Sequence, residues 1–284
     1  MPAGVAPDNG SWPIERLVEW AGILETDLRD VCDLLERMPP EALTEQLAHL
    51  HSIVGRPGYH AIDHDQDEMS WIAALIWFIP EQAQWYAEHG VSEEIGRASI
   101  ADIGRHIGLS RRTLGVFGCE TWWWLLQQAS CSLFQLGRLQ FQIQEHDHTL
   151  PVGADQQFDL GIHIPESGPM TPGAVDASLA KARPFFRRVY GADVDWGVCA
   201  SWLLDPYLVQ TLPESSNIVS FAERFTLWGT PQDSQDSALY FTFRTHDVRR
   251  VPTLPRERSI QRVVLERIEA GGIWQTASGY LPLP

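Results

Sequence analysis

Basic residues are scarce in this chain. Lysine and arginine together number 21 against 37 aspartates and glutamates, so the formal net charge at neutral pH is −16. A surface of that sign repels a nucleic-acid backbone and an anionic membrane, and neither is expected as a partner. An anionic ligand would have to be held by local dipoles and a few arginines. Cysteine is scarce too. Cys32, Cys119, Cys131 and Cys199 are scattered, with no Cys-x-x-Cys pair. This argues against a zinc site or a disulfide framework, and no metal is expected. Long apolar runs are missing: the longest, residues 71–79, is too short to span a bilayer. The opening MPAGVAPDNGSWPIERL has no basic stretch followed by an apolar core. The resulting expectation is a cytoplasmic protein.

What is present suits one large domain or two moderate ones, since 284 residues with 44% hydrophobic content can bury a sizeable core. The first ~120 residues read as helical. Leu17, Ile23, Leu24, Leu28, Val31, Leu34 and Leu35 recur at helical spacing until Pro39-Pro40. Residues 71–79 are apolar nearly all round, which suggests a buried helix. SIADIGRHIGLSRRTLG (99–115) has the look of a DNA-reading helix-turn-helix, but the net charge favours a plain helix pair.

The texture then changes to short strands between helices. Residues 136–144 alternate, with Gly137, Leu139, Phe141 and Ile143 on one side and Arg138, Gln140, Gln142 and Gln144 on the other, as in a half-buried strand. Strands are expected at 158–165, at 196–204 and near 273–277. A hairpin of 225–228 and 238–244 is expected around the loop GTPQDSQDS. Helices are expected from 171 to about 189, after Asp205-Pro206, and over 259–270. Pro184 should bend or end the first of these. The fold class is therefore mixed α/β, of α+β type: a helical domain over 1–120 and a mixed sheet flanked by helices over 121–284.

Three groups of residues carry candidate chemistry. GIHIPESGPMTPGAV (161–175) is a strand that turns into a helix. His163 shares a strand face with Gly161, and Thr171-Pro172 starts the helix. The amides of Gly173 and Ala174 are then open donors at a helix N-terminus, a plausible phosphate cradle. On the strand GVCASWLL, Cys199 and Ser201 share a face; no Gly-x-Ser-x-Gly elbow surrounds Ser201 to make it a hydrolase nucleophile. His60, Asp63, His64, Asp65, Asp67 and Glu68 read as a solvated loop, and His146-Asp147-His148 as a loop tip.

LGRLQF, LGIHIPESGPMTPGAVDASLAKARPFF, SWLLDP and LPESSNIVSFAERF resemble bacterial acyltransferase-domain proteins. Those pair a helical N-acyltransferase N-terminal domain with a GNAT-like C-terminal domain. The motifs cover residues 136–225 closely. The resemblance implies a GNAT-type sheet, in which an acyl thioester sits where two parallel strands splay and its pyrophosphate rests on the following turn. Mapped here, the strands are 158–165 and 196–204, and the cradle is Ser167, Gly168, Thr171, Gly173 and Ala174. The loop ESGPMTPG departs from the usual Gln/Arg-x-x-Gly-x-Gly/Ala, and Ala200 stands where a larger polar residue is expected. The activity implied is acyl transfer from acyl-CoA, or from an acyl-phosphopantetheine carrier protein, to a small-molecule amine. His163 or Glu166 would be the base, and Ser201, Cys199 or Tyr207 the proton donor to the thiolate. Glu120, beside Trp122–Trp124, is a candidate for the acceptor side, with the tryptophans as interdomain core. The alternatives are a non-catalytic ligand-binding protein on the same scaffold and a hydrolase using Cys199 or Ser201.

Overall fold

The computed structural model describes residues 12–284, which divide after Phe134 into two compact units. The first is helical: α1 (Ile14–Trp20), α2 (Glu25–Arg37), α3 (Thr44–Ile53), α4 (Glu68–Trp77), α5 (Ile79–Glu88), α6 (Glu93–Ile100), α7 (Asp102–Leu114) and α8 (Leu125–Ala129). Leu17, Val31, Leu34, Trp71, Leu75, Ile103 and Ile107 are all buried in its core. α4 is buried from Ser70 to Ile76, as its all-round apolarity requires. Trp122 belongs to this core as well, stacked on Trp71 at 5.1 Å.

Glycines fix two corners of the unit. The apolar run from Leu17 to Leu35 is not one helix but two, broken at Gly22, whose φ of 65° only glycine adopts cheaply. The glycines of SIADIGRHIGLS serve packing. Gly104 lies in α7, and a Cβ there would stand 2.0 Å from the Gly22 carbonyl oxygen. Gly104 N donates to Ala21 O at 2.8 Å across the same contact. Only Ala101 separates α6 from α7, so the helix-turn-helix resemblance has a plain packing explanation.

The second unit, Gln135–Pro284, is built on a sheet. Among the described residues its strands are β1 (Leu133–Leu136), β2 (Leu139–Glu145), β3 (Phe158–His163), β4 (Trp196–Ser201), β5 (Thr226–Asp233) and β6 (Gln275–Pro282), in the order β1-β2-β3-β4-β6-β5. β3 and β4 run parallel, and β2/β3, β4/β6 and β5/β6 are antiparallel. The crossover from β3 to β4 is α9 (Pro172–Tyr190), which packs on β2. The remaining helices are α10 (Pro206–Thr211), α11 (Asn217–Ala222), α12 (Gln235–Phe243) and α13 (Ser259–Glu269). No helix among the described residues is long and apolar enough to cross a membrane.

Five local expectations change. The expected hairpin partner 238–244 is the helix α12; its short apolar run lets either period fit, and Ala238, Leu239 and Tyr240 bury together. The expected loop 229–233 instead continues β5, with a register shift between Trp228 and Gln232. The strand from 136 is interrupted by a turn at Gly137 (φ 84°), and Gln140 and Gln142 are buried rather than solvated. The strand from 196 ends at Ser201, whose Oγ accepts from Leu203 N at 3.1 Å and starts a 3-10 turn. α9 does not end at Pro184, because that residue is on the exposed side, where a proline ring and one lost amide are tolerated.

Asp205 ties the far end of this unit together. Its carboxylate is 2% exposed and caps α10 by accepting from Tyr207 N at 2.9 Å. It also accepts from Gln275 N and from Arg267 Nη1, both at 3.0 Å. One side chain thus joins the end of β4, α10, α13 and the start of β6.

Two substitutions test these contacts in the folded chain. Asp205→Ala leaves Arg267 and a buried amide without their acceptor, and is expected to cost about 3–5 kcal/mol in urea denaturation. Gly104→Ala drives a methyl group into a backbone carbonyl and is expected to cost about 1–3 kcal/mol or more by the same measurement. A change in either below ~0.5 kcal/mol, the ordinary surface value, would show that the contact does not hold the fold.

Candidate active site

The ladder between the two parallel strands is short. It pairs Leu160 with Gly197 and Gly161 with Val198, and then stops. β3 runs on to His163 and β4 to Ser201, each held on its outer side by an antiparallel neighbour. A gap therefore opens toward the C-terminal ends of the strands, and α9 begins just beyond it.

Strand parity sorts the side chains around this gap. His163 lies on the face that carries Gln140, Gln142, Gln144, Asp159 and Gly161. His163 Nε2 is 3.1 Å from Gln142 Oε1, an acceptor that places the hydrogen on Nε2 and the lone pair on Nδ1. A Cβ on Gly161 would meet Gln144 Oε1 at 2.9 Å and His163 Nε2 at 3.2 Å, so this glycine leaves the room the polar side chains occupy. Ala200 is exposed on the same face, which leaves open space where a larger side chain would fill it.

Cys199 and Ser201 point to the opposite face, the one with Leu160 and Ile162. The Cys199 thiol is buried, and burial pushes it up to about 12. Ser201 accepts from Leu203 N and keeps its own hydroxyl hydrogen. Tyr207 lies edge-on to Trp274, with the Arg267 guanidinium 4.2 Å above its ring.

The loop after β3 carries the remaining candidates. Ser167, Gly168, Thr171 and Gly173 are exposed along it, and a Cβ on Gly168 or Gly173 would meet nothing within 4 Å. Gly168 takes φ 77°, which turns the loop. Thr171 caps α9 by accepting from Ala174 N at 3.4 Å. This corrects the expectation of two open amides: Ala174 serves the cap, and of the pair only Gly173 has no acceptor among the described residues. Glu166 is mostly exposed, and its Oε2 pairs with Arg244 Nη2 at 3.0 Å.

The loop's own sequence carries no cation, yet three arginines reach it from elsewhere in the unit. Arg244 closes α12 at φ 56°, a conformation uncommon for a long side chain. Arg224, just after α11, donates to Asp176 Oδ1 at 2.7 Å and to Pro172 O at 3.4 Å. Arg138, in the β1–β2 turn, donates to Pro165 O at 3.0 Å. Arg138 and Arg224 sit inside the motifs LGRLQF and SFAERF, but their meeting place depends on contacts 27 and 48 residues apart in the chain.

The histidine clusters fare differently. His146 is no loop tip: it is 6% exposed, and its Nδ1 is 2.9 Å from Asp159 Oδ1. Asp159 is fully buried on β3 and needs such a partner. His64 stacks on Trp123 at 4.5 Å, and His60 Nε2 is 3.0 Å from Arg56 O. Among the described residues no group of three His, Cys, Asp or Glu side chains is placed to hold a metal.

Comparison with known proteins agrees with this geometry. Residues 13–131 match the model of an N-acyltransferase N-terminal domain, and residues 133–281 that of a GNAT-like C-terminal domain. Among solved structures, an acyltransferase in complex with decanoyl-CoA and teicoplanin is 28% identical, with a TM-score of 0.82 over 98% of this chain and 91% of that one. The complex with CoA and 10C-teicoplanin matches to the same degree. An acyltransferase in complex with decanoyl-CoA is 26% identical, with a TM-score of 0.82 over 100% of this chain and 91% of that one. No curated protein matches the sequence. A GNAT-like sheet that covers half the chain, preceded by the matching helical domain, makes this chain a member of the acyltransferase family that joins an N-acyltransferase N-terminal domain to a GNAT-like C-terminal domain.

Proposed function

We propose that this acyltransferase moves an acyl group from a coenzyme A thioester to an amine on a small molecule, by direct attack and without a covalent enzyme intermediate. The interrupted β3–β4 ladder carries this reading, because it opens a slot beside the start of α9, which can receive a thioester and a phosphate together. The relatives bound to decanoyl-CoA, CoA and teicoplanin support both a coenzyme A donor and a small-molecule acceptor. A phosphopantetheine carried on an acyl carrier protein would present the same thioester and remains the alternative donor.

In this reading His163 is the general base. The hydrogen bond from its Nε2 to Gln142 orients the ring, and Nδ1 takes the proton from the amine as nitrogen attacks the thioester carbonyl. Backbone amides along the open edge stabilise the oxyanion. When the C–S bond breaks, the Ser201 hydroxyl, which accepts from Leu203 N and keeps its own hydrogen, donates a hydrogen bond to the departing thiolate, and the thiolate takes its proton from solvent. Cys199 stays a thiol throughout. Glu166 is the counter-ion of Arg244, a role that turns its carboxylate away from base chemistry. Ser167, Gly168, Thr171, Gly173 and Ala174 form the phosphate cradle, with the Gly173 amide as its outward donor. The face with the exposed Ala200 is the acceptor side.

His163→Ala is expected to lower kcat by about 10²–10⁴ with donor affinity retained, read by steady-state kinetics with octanoyl-CoA and a panel of primary amines. An active variant with an unchanged melting temperature would move the base elsewhere, first to Glu166 or a water chain. Gly173→Asp places a negative charge at the cradle yet suits the first turn of a helix. Calorimetry should therefore show weaker octanoyl-CoA binding with a melting temperature unchanged or raised, whereas Gly173→Ala has open space and should change neither. Equal affinity in wild type and Gly173→Asp would take the donor phosphate away from this loop.

A further inference from the structure

The three arginines at the loop are not equivalent. Arg244 is neutralised by Glu166, and Arg224 by Asp176. Arg138 has no such partner: among the described residues no carboxylate lies within ion-pair distance of its guanidinium. Its Nη1 is used by Pro165 O, the residue from which the loop departs. Its Nε is buried with no acceptor, a costly state for a charged donor. Burial without a counter-charge also pulls its pKa below the usual arginine value.

The guanidinium is held where it is by the backbone. Ser178 Oγ, on α9, accepts from Arg138 N at 2.7 Å and from Leu139 N at 3.2 Å. The β1–β2 turn is thereby fastened to the side of the helix that starts at the cradle. The turn itself needs Gly137, where a Cβ would stand 2.9 Å from Ser178 Oγ and 3.8 Å from Lys181 Nζ. Lys181 is the chain's single lysine, and no carboxylate pairs with it among the described residues. In a chain of net charge −16, these are two uncompensated cations on neighbouring backbone. A half-buried guanidinium with no counter-ion and a buried, unsatisfied Nε has donors to offer a ligand, and its fork geometry suits a phosphate.

We infer that Arg138 binds a phosphate oxygen of the donor's phosphopantetheine arm, and that it selects phosphorylated donors over plain pantetheine thioesters. This rests on the thioester-transfer reading above and adds the residue that supplies the charge the loop lacks. The phosphate could be that of coenzyme A or the phosphodiester of a carrier protein; the chemistry is shared, and the experiment separates the two.

The full chain and its Arg138→Met variant are assayed with octanoyl-CoA, octanoyl-pantetheine and an octanoylated holo-carrier protein. In Arg138→Met the ratio of kcat/KM for octanoyl-CoA to that for octanoyl-pantetheine should fall about 10–100-fold, the value of one charge-assisted bond, through KM rather than kcat. The wild-type preference for octanoyl-CoA should weaken with added salt, and that of the variant much less. The same fall confined to the carrier-protein donor would support the inference and assign the phosphate to the carrier. An unchanged ratio, or equal losses on all donors, overturns it and makes Arg138 a structural residue. If Arg138→Met does not fold, Arg138→Lys makes the same comparison with an expected fall of about 3–10-fold, since it keeps the charge and loses the fork. Should the wild type bind neither phosphorylated donor, the transfer reading itself fails and this inference with it. Wild-type binding that Arg138 variants share refutes only the inference.

Discussion

The second unit is organised around a place where hydrogen bonding stops. A parallel strand pair would ordinarily continue its ladder as far as both strands run, yet β3 and β4 share only the pairs Leu160–Gly197 and Gly161–Val198. Such a break is stable only if each strand is secured from its other side. β2 pairs with β3 along its whole length to His163, and β6 pairs with β4 along its whole length to Ser201. The Asp205 carboxylate then pins the exit of β4 to the start of β6 through Gln275 N. The slot is thus a rigid feature of the sheet, and the side chains on its two faces are sorted by strand parity before any ligand arrives. His163 and Ser201 come to opposite faces for that reason, which in the proposed reaction would set the base on the side of the amine and the hydroxyl on the side of the departing thiolate.

Electrostatics set the second constraint. The chain repels polyanions at long range, so a phosphate at the loop after β3 would have to be held at short range. The loop itself carries little positive charge. Arg224 and Arg244 are paired to acids of the loop and of α9, and they stiffen the backbone rather than add net charge. The unpaired cation comes from a different hairpin. In the proposed reading, separating the groups that shape the loop from the group that charges it lets the loop be rich in proline and glycine.

What the sequence makes legible is local. The Thr171-Pro172 start of α9 and the Asp205-Pro206 start of α10 follow from neighbours a few residues away, and both are present, whereas the change of texture expected near residue 120 comes only at Leu133, after α8. The failures are of two kinds. The run ALYFTF is too short for its period to separate a strand from a helix, and packing of Ala238 and Leu239 decided for α12. His146 and Gln140 look like surface residues because they are polar; their burial comes from long-range partners such as Asp159. The candidate site divides in the same way. The cradle and His163 can be read from one continuous segment, whereas Arg138, Arg224 and Gln142 enter through contacts that no short window contains.

The register shift in β5 has a consequence for how these molecules meet one another. β5 closes one edge of the sheet, almost wholly exposed, and an exposed edge is a template for a strand from a second copy. Between Trp228 and Gln232 the strand bulges, and Pro231 within that bulge offers no amide to an approaching chain. Asp233 ends the strand with a charge. The irregularity therefore breaks the row of regularly spaced amides and carbonyls that edge-to-edge pairing with a second copy would need.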